Sequence, residues 1–178
     1  MNSARVIIYE NRGYGNALRK GIENAKGRYI IMADSDDSYD LNHLDEFYNA
    51  LKEYDFVIGN RFKGKIEKGA MPFINKYIGN PILSFIPNVI FKTNYDYHCG
   101  LRGGDKKKLL NLNLETTGME FASEMVIKAV LNNYKIKEIP TTLFCSNKRK
   151  SHLNPIKDGI RHLKVIFMLT KAKYTTKI

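Results

Sequence analysis

Apolar side chains recur along this chain with two periods, and the switches between them mark the elements. Arg5-Val6-Ile7-Ile8-Tyr9 reads as a strand, followed by a loop through Gly13-Tyr14-Gly15. Ala17, Leu18, Gly21, Ile22 and Ala25 then recur at helical spacing until Gly27 stops the helix. Tyr29 to Ala33 is a short apolar run typical of a buried strand. A helix follows on Leu41, Leu44, Phe47, Tyr48 and Leu51, and a strand on Asp55 to Gly59. This alternation predicts a layered α/β fold with a mostly parallel sheet. Residues 70–91 are apolar, but Pro81 and Pro87 break them into short helices rather than a span of about 20 apolar residues across a membrane. Such helices suit packing against the body or against lipid. A turn-rich stretch covers Tyr95 to Gly104, and a helix runs from Thr117 to Asn132. Lys135 to Leu143 reads as a strand that Pro140 assigns to an edge, and an amphipathic helix fills Pro155 to Lys171.

Length and composition predict one domain over residues 1–178, large enough to bury a core without staples. Cys99 and Cys145 stand in neither a metal-type nor a redox-type spacing, which points to a reducing, cytosolic setting. The net charge of +11 is concentrated at one end. From Ser146 onward nine Lys/Arg face the single acid Asp158, leaving 20 basic and 17 acidic residues elsewhere. The segment 153–178 is therefore a basic amphipathic tail, suited to an anionic membrane surface, a phosphorylated substrate or nucleic acid.

The chemistry is concentrated in Asp34-Ser35-Asp36-Asp37-Ser38-Tyr39-Asp40, four carboxylates in seven residues placed directly after the Tyr29–Ala33 strand. The C-terminal edge of an open α/β sheet is where ligands bind. Asp34 and Asp36 flank one residue, so an extended backbone points them the same way, a pairing that suits Mg²⁺ or Mn²⁺ completed by substrate phosphates. Asp40 is placed to cap the helix that begins at Leu41. Arg61 leaves the next parallel strand at the same edge, where a cationic fork would meet a polyphosphate. Gly13-Tyr14-Gly15 lacks the third glycine of a dinucleotide fingerprint and the Lys-Ser/Thr of a P-loop. His98 and Cys99, being adjacent, face opposite ways in an extended chain. Glu120 and Glu124 share a helix face, where Glu124 can also pair with Lys128.

These segments, in this order, resemble the family 2 glycosyltransferases of the dolichol-phosphate or undecaprenyl-phosphate hexose synthase type. The resemblance is carried by Asn-Arg-Gly-Tyr-Gly-Asn-Ala-Leu-Arg-Lys-Gly-Ile (11–22), Asp-Ser-Asp-Asp-Ser-Tyr-Asp (34–40) and Asp-Phe-Val-Ile-Gly-Asn-Arg-Phe (55–62). Cys-Gly-Leu-Arg (99–102), Gly-Met-Glu-Phe (118–121), Ile-Lys-Glu-Ile-Pro (136–140) and Ser-His-Leu-Asn-Pro-Ile-Lys-Asp-Gly (151–159) extend it. It implies a GT-A, Rossmann-like fold and a hexosyltransferase taking a GDP- or UDP-hexose to a polyprenyl phosphate, peripheral on the cytoplasmic face of a membrane. By position it makes Asp34 and Asp36 the metal-binding Asp-x-Asp pair. Asp36 and Arg61 become the catalytic residues, and Arg61, Lys76, Arg102, Arg149, Lys150 and Ser151 the phosphate contacts. His152 stands where relatives often carry lysine. The acceptor phosphate would itself be the nucleophile, so no protein base is required of Glu120 or Glu124.

The resemblance also implies a departure. The family's first strand with its Asn-Glu loop, and the second strand whose acids hold the base and ribose, have no counterpart here. The Tyr29–Ala33 strand is then expected to expose an unpaired edge. The reading is of a truncated product or half of a split enzyme, weakly active or inactive alone, whose partner would be a separate N-terminal half. Two alternatives are a sugar nucleotidyltransferase, which would carry a glycine-rich basic N-terminal signature, and a basic nucleic-acid module. The latter is disfavoured because the Asp34–Asp40 acids repel phosphate in the absence of a metal, so no nucleic-acid partner is expected.

Overall fold

The computed structural model describes residues 4–73, 75–145 and 155–175, with the side chains of Ile78, of residues 155–156 and of 172–175 left aside. Helix α1 (Tyr14–Asn24) precedes strand β1 (Tyr29–Met32), in which Ile30 and Met32 are buried and Tyr29 and Ile31 half-buried. A 3₁₀ turn (Leu41–His43) leads into α2 (Leu44–Ala50). As expected, Asp40 caps it, accepting from the Asn42 amide at 2.9 Å. Strand β2 (Phe56–Asn60) is buried throughout. A π-helical turn (Asn75–Gly79), α3 (Asn80–Phe91), β3 (Arg102–Asp105), α4 (Lys106–Asn111), α5 (Phe121–Leu131), β4 (Ile136–Pro140) and α6 (Pro155–Thr175) follow.

The four strands lie in the order β1-β3-β2-β4. β3 is antiparallel to both neighbours, running Tyr29↔Asp105 to Met32↔Arg102 on one side and Phe56↔Gly104 to Ile58↔Arg102 on the other. β4 is parallel to β2, from Phe56↔Ile136 to Asn60↔Pro140. The layered α/β expectation therefore holds, with β1, β2 and β4 sharing a direction, but among the described residues the only adjacent parallel pair of strands is β2–β4. Pattern reading missed β3 because Arg-Gly-Gly-Asp carries no apolar signal. The glycines are there for closeness: a Cβ on Gly103 would lie 2.7 Å from the Ile30 carbonyl oxygen, and one on Gly104 2.9 Å from the Leu109 side chain.

Two further expectations are corrected. Residues Arg5 to Tyr9 form no strand. They are exposed coil, with Val6 82% and Ile8 90% exposed, because no described strand lies beside them to pair with. Pro87 does not break its helix either. It lies buried within α3, while Pro81 occupies the first turn, where no amide hydrogen is needed. β1 has β3 on one side and no other described strand, so its outer edge is bare, as the resemblance implied. β4, carrying Pro140, is the opposite edge.

The core is centred on β2 and α5: Phe56, Val57, Ile58, Phe121, Met125, Val126 and Ile127 are fully buried. Each contributes about 1.5–3 kcal/mol of transfer free energy. Helix α5 is buried nearly all round because it packs against α1, α3 and α6 as well as the core. Among the described residues no helix is long and apolar enough to cross a membrane.

Candidate active site

Since β1 and β2 share a direction, their C-terminal ends bring Asp34 and Arg61 to the same edge of the sheet, on the walls of one cavity of about 250 Å³. Arg102, at the start of the antiparallel β3, reaches that edge from the other direction. His98, Gly100 and Tyr39 come from flanking loops, Tyr14 from α1, Ala122 from α5 and His162 from α6.

β1 stops at Met32, so the acids occupy a loop rather than the strand end. The alternation survives into the loop, with Asp34 and Asp36 half-buried and Ser35 and Asp37 exposed. Asp37 turns the chain at a left-handed φ of 58°. Asp36 Oδ1 accepts from the Ser38 amide at 3.1 Å, which bends the loop back on itself. Of the pair, Asp34 lines the cavity and Asp36 is not among its lining residues. Tyr14 donates to Asp34 Oδ1 over 3.4 Å. Burial, opposed by Arg102 and reinforced by Asp34, pushes the Tyr14 phenol up to about 12, so it remains a donor at neutral pH. Gly100 is required here, because a Cβ would collide with Asp34 Oδ2. The Gly100 amide donates to Tyr39 Oη at 2.9 Å, which fixes that close approach.

The two arginines differ. Arg61 is 5% exposed and forked onto Asp96, with Nε and Nη2 donating at 2.7 and 2.8 Å. Burial alone would push the Asp96 carboxyl up, but the Arg61 guanidinium outweighs it and holds the carboxyl below its usual range. Arg61 thus shapes the cavity with its charge already matched, where the sequence suggested an open phosphate fork. Arg102 is 1% exposed and has no ion pair among the described residues. Nη1 donates to the Ala122 carbonyl at 3.0 Å, Nη2 to the Cys99 carbonyl, and the buried Nε has no hydrogen-bond partner. A buried guanidinium bonded only to carbonyls is the better anion receptor of the two.

Lys76 lies on the π turn, its Nζ 5.4 Å from the Tyr77 ring centre and outside the cavity wall, to which its neighbour Asn75 contributes. Arg149, Lys150, Ser151 and His152 lie outside the described residues. Glu124, 1% exposed, is committed to structure: it accepts from the Glu115 and Thr116 amides at 2.9 Å each and pairs with Lys128 at 2.8 Å. Glu120 Oε1 accepts from the Gly118 amide at 3.2 Å, while its buried Oε2 has no partner. Gly13 and Gly15 serve packing rather than an anion cradle. The Gly15 amide donates to the Thr117 carbonyl at 2.9 Å, and Cβ atoms at either glycine would strike the 116–117 backbone.

A buried polar cluster closes the far wall. Ser123 Oγ lies 3.1 Å from His98 Nε2 and 2.8 Å from His162 Nδ1, and Ser84 Oγ lies 3.2 Å from His98 Nδ1. Burial, more than any charge, lowers both imidazoles, His162 to about 4, so both are neutral at pH 7. Cys99 faces away toward Tyr39, its thiol pushed up to about 11 by burial. Asp96, Tyr14 and Ser123 carried no sequence signal. His162 did carry one, since it falls on the same α6 face as the buried Val165, Ile166 and Leu169.

The donor set fits a hard divalent cation. Two carboxylates of one half-buried loop, with the cavity beyond them open to phosphate oxygens, is the arrangement Mg²⁺ and Mn²⁺ take. No cluster of three or more His, Cys, Asp or Glu among the described residues competes as a metal cage.

Comparison with known proteins agrees with this geometry. Residues 3–112 match the model of glycosyl transferase family 2. The low-salt glycan biosynthesis hexosyltransferase Agl6 of Haloferax volcanii is 35% identical over 174 residues, covering 96% of this chain and 41% of Agl6. A dolichyl-phosphate hexose transferase of the same organism is 30% identical over 77% of the chain and 59% of its own length, and the dolichol-phosphate mannosyltransferase of Saccharomyces cerevisiae 26% over 85% and 59%. The chain thus spans between two fifths and three fifths of these relatives. Mycobacterium tuberculosis glucosyl-3-phosphoglycerate synthase, solved with Mn²⁺, UDP and glucosyl-3-phosphoglycerate, superposes with a TM-score of 0.64 at 12% identity, covering 92% of this chain and 57% of that one. This likeness shows the GT-A fold. With the ordered motifs, the fold and the matching family model together, the chain belongs to glycosyl transferase family 2.

Proposed function

We propose that this protein moves a hexose from a GDP- or UDP-sugar to a polyprenyl phosphate at the cytoplasmic surface of a membrane, with Mg²⁺ or Mn²⁺ bound at Asp34 and Asp36. The observation that carries the reading is the placement of the Asp34 carboxylate and the Arg102 guanidinium, which has no ion pair among the described residues, on the walls of one cavity. A metal and a buried arginine are what a diphosphate leaving group requires on its two sides. The names of the relatives supply the acceptor class, and the unpaired thiols of Cys99 and Cys145 agree with a reducing compartment.

In this reading Asp34 and Asp36 would hold the cation, and Tyr14 helps to orient Asp34 by donating to its Oδ1. When bound, the cation supplies Lewis-acid stabilisation of the departing diphosphate. Arg102 binds phosphate inside the cavity, and the resemblance assigns donor or acceptor phosphates to Lys76, which lies outside the cavity wall, and to Arg149, Lys150 and Ser151. Arg61, neutralised by Asp96, holds the cavity's shape. An acceptor phosphate oxygen, already anionic, attacks the anomeric carbon and inverts it, so no side chain need accept a proton. The commitment of Glu124 to a loop is compatible with that. The test is incubation with labelled nucleotide-hexose and polyprenyl phosphate. Label extracted into organic solvent above a chain-free control, dependent on Mn²⁺ or Mg²⁺ and lost in Arg102→Ala, supports the reading. Nucleotide-sugar breakdown without a lipid product would overturn it.

A further inference from the structure

The polar cluster on the cavity wall joins four parts of the fold, and neither phosphate nor metal binding uses it. Ser84 stands on α3, Ser123 on α5, His162 on α6 and His98 in the loop before β3. Both histidines line the cavity. His98 is engaged at each nitrogen, Nδ1 with Ser84 Oγ at 3.2 Å and Nε2 with Ser123 Oγ at 3.1 Å. His162 is engaged at one only. Its Nδ1 lies 2.8 Å from Ser123 Oγ and 3.3 Å from His98 Nε2, whereas its Nε2 has no hydrogen-bond partner among the described residues. The ring is 5% exposed, yet Nε2 is not sealed from solvent, since the fully buried side-chain atoms without a partner are Arg102 Nε and Glu120 Oε2 among the described residues. A nearly buried ring on a cavity wall, with one nitrogen still open, leaves that nitrogen to whatever fills the cavity.

The cluster can carry its hydrogens in either direction. With His162 Nδ1–H donating to Ser123, the Ser123 hydroxyl donates to His98 Nε2 and His98 Nδ1–H to Ser84, so His162 Nε2 presents a lone pair. With each bond reversed, Ser84 donates to His98 Nδ1, His98 Nε2–H to Ser123 and Ser123 to His162 Nδ1, which leaves an N–H on His162 Nε2. Both arrangements satisfy the interior groups. A phosphate oxygen could use only the second, and the Arg102 guanidinium in the same cavity serves it better. A hydroxyl both donates and accepts, so it fits either. Burial keeps both rings neutral at pH 7, which removes the charge that would favour an anion there. Asn80 on the cavity wall is uncharged too, its Nδ2 3.2 Å from the Met71 sulfur, a weak acceptor that a sugar oxygen would outbid. We propose that His162 Nε2 hydrogen-bonds a hydroxyl of the hexose, so that α6 supplies a specificity-determining residue, with Ser123 and His98 as positioning residues that hold its ring. This deepens the nucleotide-hexose reading of the cavity and rests on it. The family model matches residues 3–112, so Ser123 and His162 lie beyond the matched part and belong to this chain's own geometry.

The test compares, with Mn²⁺ present, the affinity of the 178-residue chain for UDP-glucose or GDP-mannose, for the parent UDP or GDP, and for monodeoxy analogues of the sugar. His162→Phe, its fold checked by circular dichroism, should bind the nucleotide-hexose about fivefold or more weakly and the parent diphosphate unchanged. His162→Gln, whose amide can still donate or accept, should lose less. One monodeoxy analogue should lose about the same factor in the wild type and nothing further in His162→Phe, because the two changes remove one hydrogen bond. Equal weakening of nucleotide-hexose and diphosphate in His162→Phe would overturn the proposal, as a merely structural role predicts. So would monodeoxy analogues that all bind the wild type as well as the parent sugar does, a measurement that needs no variant. A wild type that binds neither nucleotide-hexose nor diphosphate would overturn the transferase reading and this assignment with it. Binding of both without a split in His162→Phe would remove the assignment alone.

Discussion

Arg61 and Arg102 reach one cavity with different electrostatic debts, and single substitutions separate them. Asp96→Ala strands the Arg61 charge in the interior and is expected to cost about 3–5 kcal/mol, read as a lowered urea midpoint. Because Asp96 titrates below its ordinary value, its contribution is complete above the unfolded carboxyl value near pH ~4 and is lost only as the pH falls through the lower folded value. Arg102 has no such partner, so Arg102→Gln should cost binding of the nucleotide-sugar more than it costs stability. Gly100→Ala is a steric test of the proposed metal loop. Its Cβ displaces the Asp34 carboxylate, and Mn²⁺ affinity should fall about tenfold or more while the circular dichroism spectrum is kept.

At the scale of elements, α6 is held to α5 and to the loop before β3 by the His98–Ser123–His162 cluster. Burial lowers His98, with His162, Arg61 and Arg102 adding to it. Burial likewise lowers His162, with Arg102 adding while Glu120 and Asp158 oppose. The unfolded chain therefore takes up protons near the ordinary histidine value of ~6.5, and the folded chain only near the His162 value of about 4. Stability should fall as the pH drops through that window, by about 2 kcal/mol between pH 7 and 5 from His162 alone. Urea unfolding at both pH values tests this, and His162→Gln should flatten the dependence.

How much of this the sequence disclosed follows from where each signal resides. Helices α1, α2, α5 and α6 and strands β1, β2 and β4 were legible because their own apolar spacing records which face is buried. β3 was not, because glycines leave no pattern. The strand expected at Arg5 to Tyr9 failed because pairing depends on a neighbour that the segment does not encode. In the site, Asp34 and Arg61 were legible from their place at strand ends. The fork from Arg61 to Asp96 crosses 35 positions and no local spacing records it. Tyr14 and Gly100 are legible only once Asp34 is seen between them.

At the scale of the molecule, the same sheet edge gathers an acidic loop and a buried guanidinium, while the surface field is positive. With a net charge of +11, association with a nucleotide diphosphate should slow as salt rises. The acids at Asp34 to Asp40 oppose that field locally, and in the proposed reading a divalent cation offsets them. The measurement that bears most directly on this is thermal stabilisation of the chain by UDP- and GDP-hexoses, with Mn²⁺ and with chelator, in the wild type and in Asp34→Ala and Asp36→Ala. Stabilisation that needs Mn²⁺ and disappears in both variants is the predicted result. Stabilisation indifferent to metal and to both carboxylates would contradict the account.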